Sequence, residues 1–187
     1  MTPEKELIFN FLNHYLSLIS LIGFIILIVL YVHHFHIRLT KKESKILNKI
    51  SDLALPFGFI ITLFASVLSL IYSDYLGEPA CGLCWFQRVF IYSQVVLFAV
   101  AYIKNDLKIF VYSFWLSVVG GIIALYQEYL QLGYSEFIPC PTVSTFVDCA
   151  KPTFLNYGFI TFPFMSFLVF VFLILLALAV RYHRKER

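Results

Sequence analysis

Five long apolar stretches restrict the fold of this chain more than any other feature of its sequence. They run approximately over Leu16–Phe35, Leu53–Tyr72, Cys84–Ile103, Ile109–Gln131 and Gly158–Val180. A helix needs about 20 mostly apolar residues to cross the hydrocarbon core of a bilayer, and each stretch is near that length. The runs are too long and too uniformly apolar for the strands of a membrane β-barrel. The sequence therefore predicts an all-α, polytopic membrane protein.

The composition excludes a soluble domain. Hydrophobic residues fill 60% of the 187 positions and charged residues 13%, against roughly 45–50% and about 25% in ordinary globular proteins. The formal net charge of +3 is too small to indicate nucleic-acid binding. We therefore expect a membrane environment and no nucleic-acid partner.

Basic residues lie in alternate connections between the apolar stretches. They are Arg38, Lys41, Lys42, Lys45 and Lys49 in the first connection, Lys104 and Lys108 in the third, and Arg181, Arg184, Lys185 and Arg187 in the C-terminal tail. The connection over residues 73–80 has no Lys or Arg, and that over residues 132–157 has only Lys151. Because cytoplasmic loops are enriched in Lys and Arg, we predict a cytoplasmic C-terminus, with the N-terminus and these two loops outside.

The first stretch predicts a retained anchor rather than a cleavable signal peptide. Glu4 and Glu6 surround Lys5, so the segment before the stretch is not net positive, and no A-x-A cleavage site follows. We divide the chain into an N-terminal anchor with its basic loop, residues 1–52, and a four-helix core, residues 53–187.

Small residues recur every four positions in two of the predicted helices. They are Gly58, Thr62 and Ser66 in the second, and Ser113, Ser117 and Gly121 in the fourth. This spacing lets two helix backbones approach closely inside a membrane, although small residues are common in membrane helices in general.

All four cysteines lie in or beside the two loops that are predicted to face outward. They are Cys81, Cys84, Cys140 and Cys149. The outside is the oxidising side, where disulfides form and persist. Four cysteines allow three pairings, and proximity in the sequence favours Cys81–Cys84 and Cys140–Cys149.

The first pair has the spacing of a redox or metal site. The ring closed by Cys81 and Cys84 is too small to stabilise a fold by constraining a long loop, and pairs at this spacing are usually redox-active or metal-binding. Pro79 precedes the pair and a helix follows it, so Cys84 lies near a helix N-terminus, where the helix dipole favours a thiolate.

Arg88 and Gln87 follow Cys84 by four and three positions, about one helical turn deeper. An arginine just inside the hydrocarbon is costly and indicates a function, such as stabilising charge on Cys84 or on a bound acceptor. The alternative is an arginine that snorkels to the membrane interface.

The second pair lies in a segment that cannot be a regular helix, because Pro139 and Pro141 flank Cys140. The segment from Cys140 to Cys149 predicts an extended and mobile pair, and a structural staple is the alternative. A soluble dithiol could reduce this pair, which could then exchange with the pair at the membrane edge. The position of the inner pair favours a lipid-soluble two-electron acceptor, most simply a quinone.

These motifs resemble those of a known family. The segment CGLCWFQR, Cys81–Arg88, resembles the CxLCxxQR signature of the DsbB/BdbC disulfide bond formation proteins, especially the BdbC-like branch. The segment YGFITFPF at residues 157–164 and the second cysteine pair also resemble that family, and the resemblance covers about residues 53–182. The extra first helix and the short spacing of the second pair depart from the usual family pattern.

The resemblance implies a thiol:quinone oxidoreductase of the bacterial inner membrane. Such a protein reoxidises a DsbA-like thioredoxin-fold oxidase and passes electrons to ubiquinone or menaquinone. It implies that the partner attacks Cys140, that Cys149 then attacks Cys81, and that Cys84 delivers electrons to the quinone. Arg88 is implied as the cation beside the quinone, with Gln87 as a further quinone-binding residue.

Three alternatives belong to other classes. A vitamin K epoxide reductase-like enzyme also pairs a CxxC with a quinone, but the Gln87-Arg88 pair after the second cysteine argues against it. Four thiolates could bind zinc or copper, although the second pair is wide for such a site. A protein that is only stapled by disulfides leaves the short CxxC ring unexplained. We predict no metal, and we interpret Gln127 and Glu128 as a polar helix end rather than as the lining of an acceptor site.

Overall fold

The structure is a computed structural model, and it describes residues 3–40, 53–140 and 148–186. Their regular structure is helical, apart from one isolated bridge between Asn156 and Ile160. The helices are α1 (Pro3–Thr40), α2 (Ala54–Leu70), α3 (Gly82–Lys104), α4 (Ile109–Gln131) and α5 (Phe162–Glu186). A π-helical turn, Ile71–Tyr75, continues α2. All five are long and apolar enough to cross a membrane, which confirms the predicted all-α membrane fold with five spans.

Two helices begin at positions that differ from those predicted. The first begins at Pro3 rather than near Leu16 and is 38 residues long, because no helix-breaking residue separates its polar N-terminal part from the apolar stretch. The last begins at Phe162 rather than Gly158. Tyr157 and Gly158 have φ angles of 54° and 79°, and such left-handed conformations form a turn instead of a helix.

Small residues bring the core helices together. Gly58, Thr62, Ser66, Ser113, Ser117 and Gly121 are all buried, which confirms their predicted role in helix contacts. The ring of Phe98 occupies the space beside Gly58, and the ring of Phe170 occupies that beside Gly120. The most extensive helix packing is that of α4 on α5 and of α2 on α3. These close approaches fix how the core helices are rotated against one another.

A polar contact ties α3 to α4 inside the bundle. Gln94 is fully buried, and its Oε1 accepts hydrogen bonds from Ser113 Oγ at 2.6 Å and Ser117 Oγ at 3.2 Å. Buried polar groups in a membrane need such partners. The contact sets the register of these two helices.

Helix α1 packs mainly against α5 and is held by polar contacts at one end. Tyr72 Oη donates to Asn13 Oδ1 at 2.7 Å, and Asn156 Nδ2 donates to Ser17 Oγ at 2.7 Å. Lys5 Nζ also donates to the carbonyl of Tyr75 at 2.5 Å. The N-terminal part of α1 therefore lies at the same end of the bundle as the loops that carry the cysteines.

Candidate functional site

The inner cysteine pair lies where α3 begins. Cys81 is the N-cap residue, with an extended backbone, and its Sγ accepts a hydrogen bond from the Cys84 backbone N–H at 3.4 Å. The two residues are thiols whose Sγ atoms lie 2.9 Å apart. Cys81 is buried, whereas Cys84 is partly exposed. The helix N-terminus thus brings the two sulfurs together and leaves the second one more accessible.

The two thiols differ in how firmly they hold a proton. The hydrogen bond with Cys84 raises the pKa of the Cys81 thiol far above its usual range, and burial raises it further. Either thiol can donate the hydrogen bond between the two sulfurs. Cys81 is therefore a thiol that resists conversion to a thiolate.

A buried glutamine from α4 contacts both sulfurs. Gln127 is 1% exposed, and its Nε2 lies 3.1 Å from Sγ of Cys81 and 3.1 Å from Sγ of Cys84. Its Oε1 accepts a hydrogen bond from Gln87 Nε2 at 2.7 Å. The sequence favoured a polar helix end for Gln127, but the structure places it directly on the cysteine pair. Gln87 reaches that pair only through Gln127.

The outer pair forms a disulfide that packs on the inner pair. Cys140 and Cys149 are bonded, with Cα atoms 6.1 Å apart. Cys149 is 1% exposed and belongs to one apolar cluster with Cys81, Leu83 and Leu130, against which Cys84 and Cys140 also pack. All four cysteines therefore belong to one packed cluster. As predicted, Pro139 and Cys140 are not part of a helix. The predicted extended and mobile segment continues over residues 141–147, which lie outside the described residues.

The segment before Cys140 is fastened to α4. Tyr126 Oη donates to the carbonyl of Ile138 at 2.6 Å and accepts from its N–H at 3.0 Å. The rings of Tyr126 and Phe137 meet edge to face, with centroids 4.7 Å apart. The Cys140 N–H donates to Glu136 Oε1 at 2.6 Å. Phe137 and Ile138 remain exposed, so the segment presents apolar side chains beside Cys140.

Arg88 is tied sideways to the neighbouring helix. Its Nε donates to Ser69 Oγ at 2.8 Å, and its Nη2 donates to the Ser69 carbonyl at 3.1 Å. The guanidinium carbon lies 5.1 Å from the centre of the Trp85 ring. These contacts hold the cation about one helical turn below Cys84. The position agrees with the helical spacing predicted from the sequence, and Ser69 was not predicted.

A second polar group of α4 faces α5. Glu128 is 6% exposed, its Oε2 accepts a hydrogen bond from Thr161 Oγ1, and its buried Oε1 has no partner among the described residues. Glu128 thus lies inside the bundle rather than at a solvated helix end. Among residues 3–40, 53–140 and 148–186, no group of three or more His, Cys, Asp or Glu residues could hold a metal ion.

The sequence profile of the family described as "Disulfide bond formation protein DsbB" matches residues 51–180. The chain belongs to the DsbB family. The match covers α2 to α5 with both cysteine pairs, and it leaves α1 outside. As a member of the DsbB family, the chain is a multi-pass membrane oxidoreductase of disulfide bond formation.

Curated relatives of this DsbB-family chain carry related names. The SPbeta prophage-derived disulfide bond formation protein B of Bacillus subtilis is 36% identical over 60% of this chain and 74% of the relative. The probable disulfide formation protein of Coxiella burnetii strain CbuK_Q154 is 34% identical over 64% of this chain and 81% of the relative. The disulfide bond formation protein C of Bacillus subtilis is 27% identical over 69% of this chain and 93% of the relative. No solved structure matches the chain.

Sequence reasoning missed two side chains of this DsbB-family site and misjudged a third. Ser69, which binds Arg88, and Tyr126, which binds the loop, were missed, and Gln127, which binds the thiols, was interpreted as a polar helix end. Gln127 had a usable signal, because a glutamine in an otherwise apolar membrane helix needs a buried partner. Ser69 and Tyr126 had none, because serine and tyrosine are ordinary residues near a membrane interface.

Proposed function

We propose that this protein is a thiol:quinone oxidoreductase that reoxidises a DsbA-like thioredoxin-fold partner and passes two electrons to a membrane quinone. One observation carries the proposal: the outer disulfide packs on the inner cysteine pair in a single cluster, so that sulfur exchange between the two pairs is possible. The inner pair also lies at the first turn of a membrane-spanning helix, where a lipid-soluble acceptor can reach it.

Each exchange step transfers one sulfur–sulfur bond. A thiolate of the partner attacks Cys140 Sγ, the Cys140–Cys149 bond breaks, and Cys149 leaves as a thiolate. Cys149 then attacks Cys81 Sγ in a Cys81–Cys84 disulfide, and Cys84 leaves with the electron pair. The second partner thiol releases the oxidised partner from Cys140. Cys140 then attacks Cys149, restores the outer disulfide and leaves the inner pair reduced.

The inner pair must then give up two electrons and two protons to re-form its disulfide. A bound quinone would be the acceptor of these two electrons. The residues present fit it: Cys84 is partly exposed, Trp85 is 48% exposed on the same turn, and Arg88 holds a positive charge one turn below. Arg88 stabilises negative charge that develops beside Cys84 during the transfer.

The experiment compares two reductants on alanine variants of the four cysteines. Quinone reduction is followed by absorbance, once with a reduced thioredoxin-fold partner and once with a small dithiol. Cys81→Ala and Cys84→Ala should lose activity with both reductants, because the inner pair is the exit. Cys140→Ala and Cys149→Ala should lose activity with the partner but retain it with the small dithiol. Equal loss in all four variants with both reductants would exclude the two-pair relay.

The protein is proposed to lie in the bacterial inner membrane with the N-terminus and both cysteine loops outside. The N-terminal part of α1 lies at the cysteine end of the bundle, and the basic residues Lys104 and Lys108 lie at the opposite ends of α3 and α4 from the cysteine loops, which supports this orientation. The family match begins at residue 51, which supports residues 1–52 as an anchor added to a core of residues 53–187. Reporter fusions after Lys49 and after Lys151 should report opposite sides of the membrane, and a common side would contradict the topology.

A further inference from the structure

The side-chain amide of Gln127 has as many N–H donors as the inner cysteine pair has sulfur atoms. A side-chain NH₂ group has two N–H donors, and Gln127 Nε2 lies 3.1 Å from each of two sulfurs. Gln127 is also buried, with 1% of its surface exposed, so water cannot easily replace these contacts. One amide nitrogen can therefore donate to Cys81 and Cys84 at the same time.

Gln87 determines which end of the Gln127 amide faces the sulfurs. Gln87 Nε2 donates to Gln127 Oε1 at 2.7 Å, and Gln87 is 7% exposed. If the Gln127 amide alone were turned over, its NH₂ group would face the NH₂ group of Gln87, and two donors would lie against each other without an acceptor. Burial makes such an unpaired arrangement costly. The Gln87 contact therefore keeps the Gln127 N–H groups on the cysteine pair.

We infer that Gln127 is a catalytic residue that donates hydrogen bonds to the inner sulfurs when one of them becomes a thiolate, and that Gln87 is the positioning residue that orients it. The order of the exchange steps rests on the proposed function, whereas the contact with the sulfurs does not. Gln87 accordingly serves the site through Gln127, and its quinone-binding role stays a prediction.

The chemistry of the exchange gives these donors a defined task. When the Cys149 thiolate attacks Cys81 Sγ, the Cys149–Cys81 bond forms, the Cys81–Cys84 bond breaks, and the electron pair goes to Cys84 Sγ. A hydrogen bond to a charged acceptor is stronger than one to a neutral acceptor. The N–H group of Gln127 therefore stabilises the departing Cys84 thiolate more than it stabilises the disulfide. Arg88 supplies positive charge from one turn further along the helix that carries Cys84, and Gln127 supplies the direct donor from α4.

The test measures the charge state of Cys84 without partner or quinone. The full-length protein is reduced in detergent and treated with iodoacetamide at a series of pH values, and mass spectrometry of peptides gives the alkylation rate at each cysteine. Gln127→Met and Gln87→Met retain the length and the approximate volume of the side chain but remove the amide. Gln131→Met is the matched control, since Gln131 lies one turn further along α4 and donates to the Cys149 carbonyl at 3.4 Å.

Gln127→Met should shift the pH midpoint of Cys84 alkylation upward by about one unit, a tenfold smaller thiolate fraction at a given pH. Gln87→Met should shift it in the same direction by less, and the double variant should match Gln127→Met, because Gln87 acts through Gln127. Gln131→Met should leave the midpoint unchanged. The limiting alkylation rate at high pH, where Cys84 is fully a thiolate, reports the access of the reagent to Cys84. It therefore separates a change in access from a change in the charge state of Cys84.

A Gln127→Met midpoint equal to that of the unchanged protein would overturn the inference, as would shifts that add in the double variant. Gln127→Glu guards against misfolding, because it has nearly the same shape and, once ionised in the upper part of the pH series, presents acceptors only. It should raise the midpoint more than Gln127→Met does, and an unchanged midpoint there would also overturn the inference. Failure of the proposed function would look different: quinone reduction would be absent in the unchanged protein, while the alkylation midpoints would still differ among the variants.

Discussion

Arg88 on α3 is bound twice by Ser69 on α2, through the hydroxyl at 2.8 Å and the main-chain carbonyl at 3.1 Å. A snorkelling arginine would extend its charged end toward water. This guanidinium instead lies between its own helix and the neighbouring one, beside the Trp85 ring. The cation is therefore held in one position near Cys84, as transition-state stabilisation by a preorganised group requires.

Replacing Arg88 with methionine should abolish most quinone reduction. The change keeps the apolar stem and removes the charge, and a preorganised donor of this kind contributes about 3–4 kcal/mol. We expect Arg88→Met to insert normally and retain the outer disulfide, with turnover reduced about a hundredfold or more. Arg88→Lys should restore only part of it, because a single ammonium cannot reproduce the fork of donors that meets Ser69. Steady-state rates against quinone concentration measure both variants, and near-normal kinetics in Arg88→Met would mean that Arg88 is an interface anchor.

Removing the Ser69 hydroxyl should have a smaller effect of the same kind. Ser69→Ala removes the acceptor of Arg88 Nε and leaves the main-chain contact with Nη2. One net hydrogen bond is worth about 1 kcal/mol, so we expect a loss of about fivefold in kcat/KM for quinone. Ser73→Ala is the control. It also removes one hydroxyl from the same region, but the Ser73 hydroxyl donates to the main-chain carbonyl of Ser69 and to Asp74 Oδ1. A loss as large in Ser73→Ala as in Ser69→Ala would contradict the assignment.

Loosening the segment before Cys140 should slow exchange with the protein partner but not exchange with a small dithiol. Tyr126→Phe keeps the ring contact with Phe137 and removes the hydroxyl that binds both polar groups of the Ile138 main chain. Turnover with a thioredoxin-fold partner should fall several-fold, about the value of one or two hydrogen bonds, while turnover with a small dithiol is unchanged. Tyr129→Phe, which retains the stacking on Tyr134, is the control. Equal losses with both reductants would show that Tyr126 serves the inner pair instead.

Adding a methyl group at Gly120 should destabilise the packing of α4 on α5. A Cβ atom at Gly120 would overlap the ring of Phe170, whereas one at Gly121 would lie 3.5 Å from Phe170 Cβ, an ordinary contact. Overpacking of this kind costs about 1–3 kcal/mol. Gly120→Ala should therefore lower the thermal unfolding midpoint in detergent, and Gly121→Ala should leave it nearly unchanged. Similar midpoints for the two variants would contradict this packing of α4 on α5.

Three features were predictable from the sequence, because each follows from local periodicity or from the length of an apolar run. They are the number of spans, the helical spacing of Arg88 from Cys84 and the burial of the small-residue faces. A helix brings residues three or four positions apart onto one face whatever surrounds it. The start of α1 was not predictable in this way, because a polar segment can continue a helix when nothing breaks it. The sequence also determined that two cysteine pairs exist, and it favoured their pairing by proximity.

Only the tertiary structure decided which side chains complete the site. Gln127 lies 43 positions from Cys84, and Ser69 lies 19 positions from Arg88. Whether such residues meet depends on how two helices are rotated and shifted against each other, and no local pattern contains that information. The rotation is set by side chains that fill space between helices, such as Phe170 beside Gly120 and Phe98 beside Gly58. The chemistry at Cys84 therefore depends on packing far down the bundle, where no residue touches a sulfur.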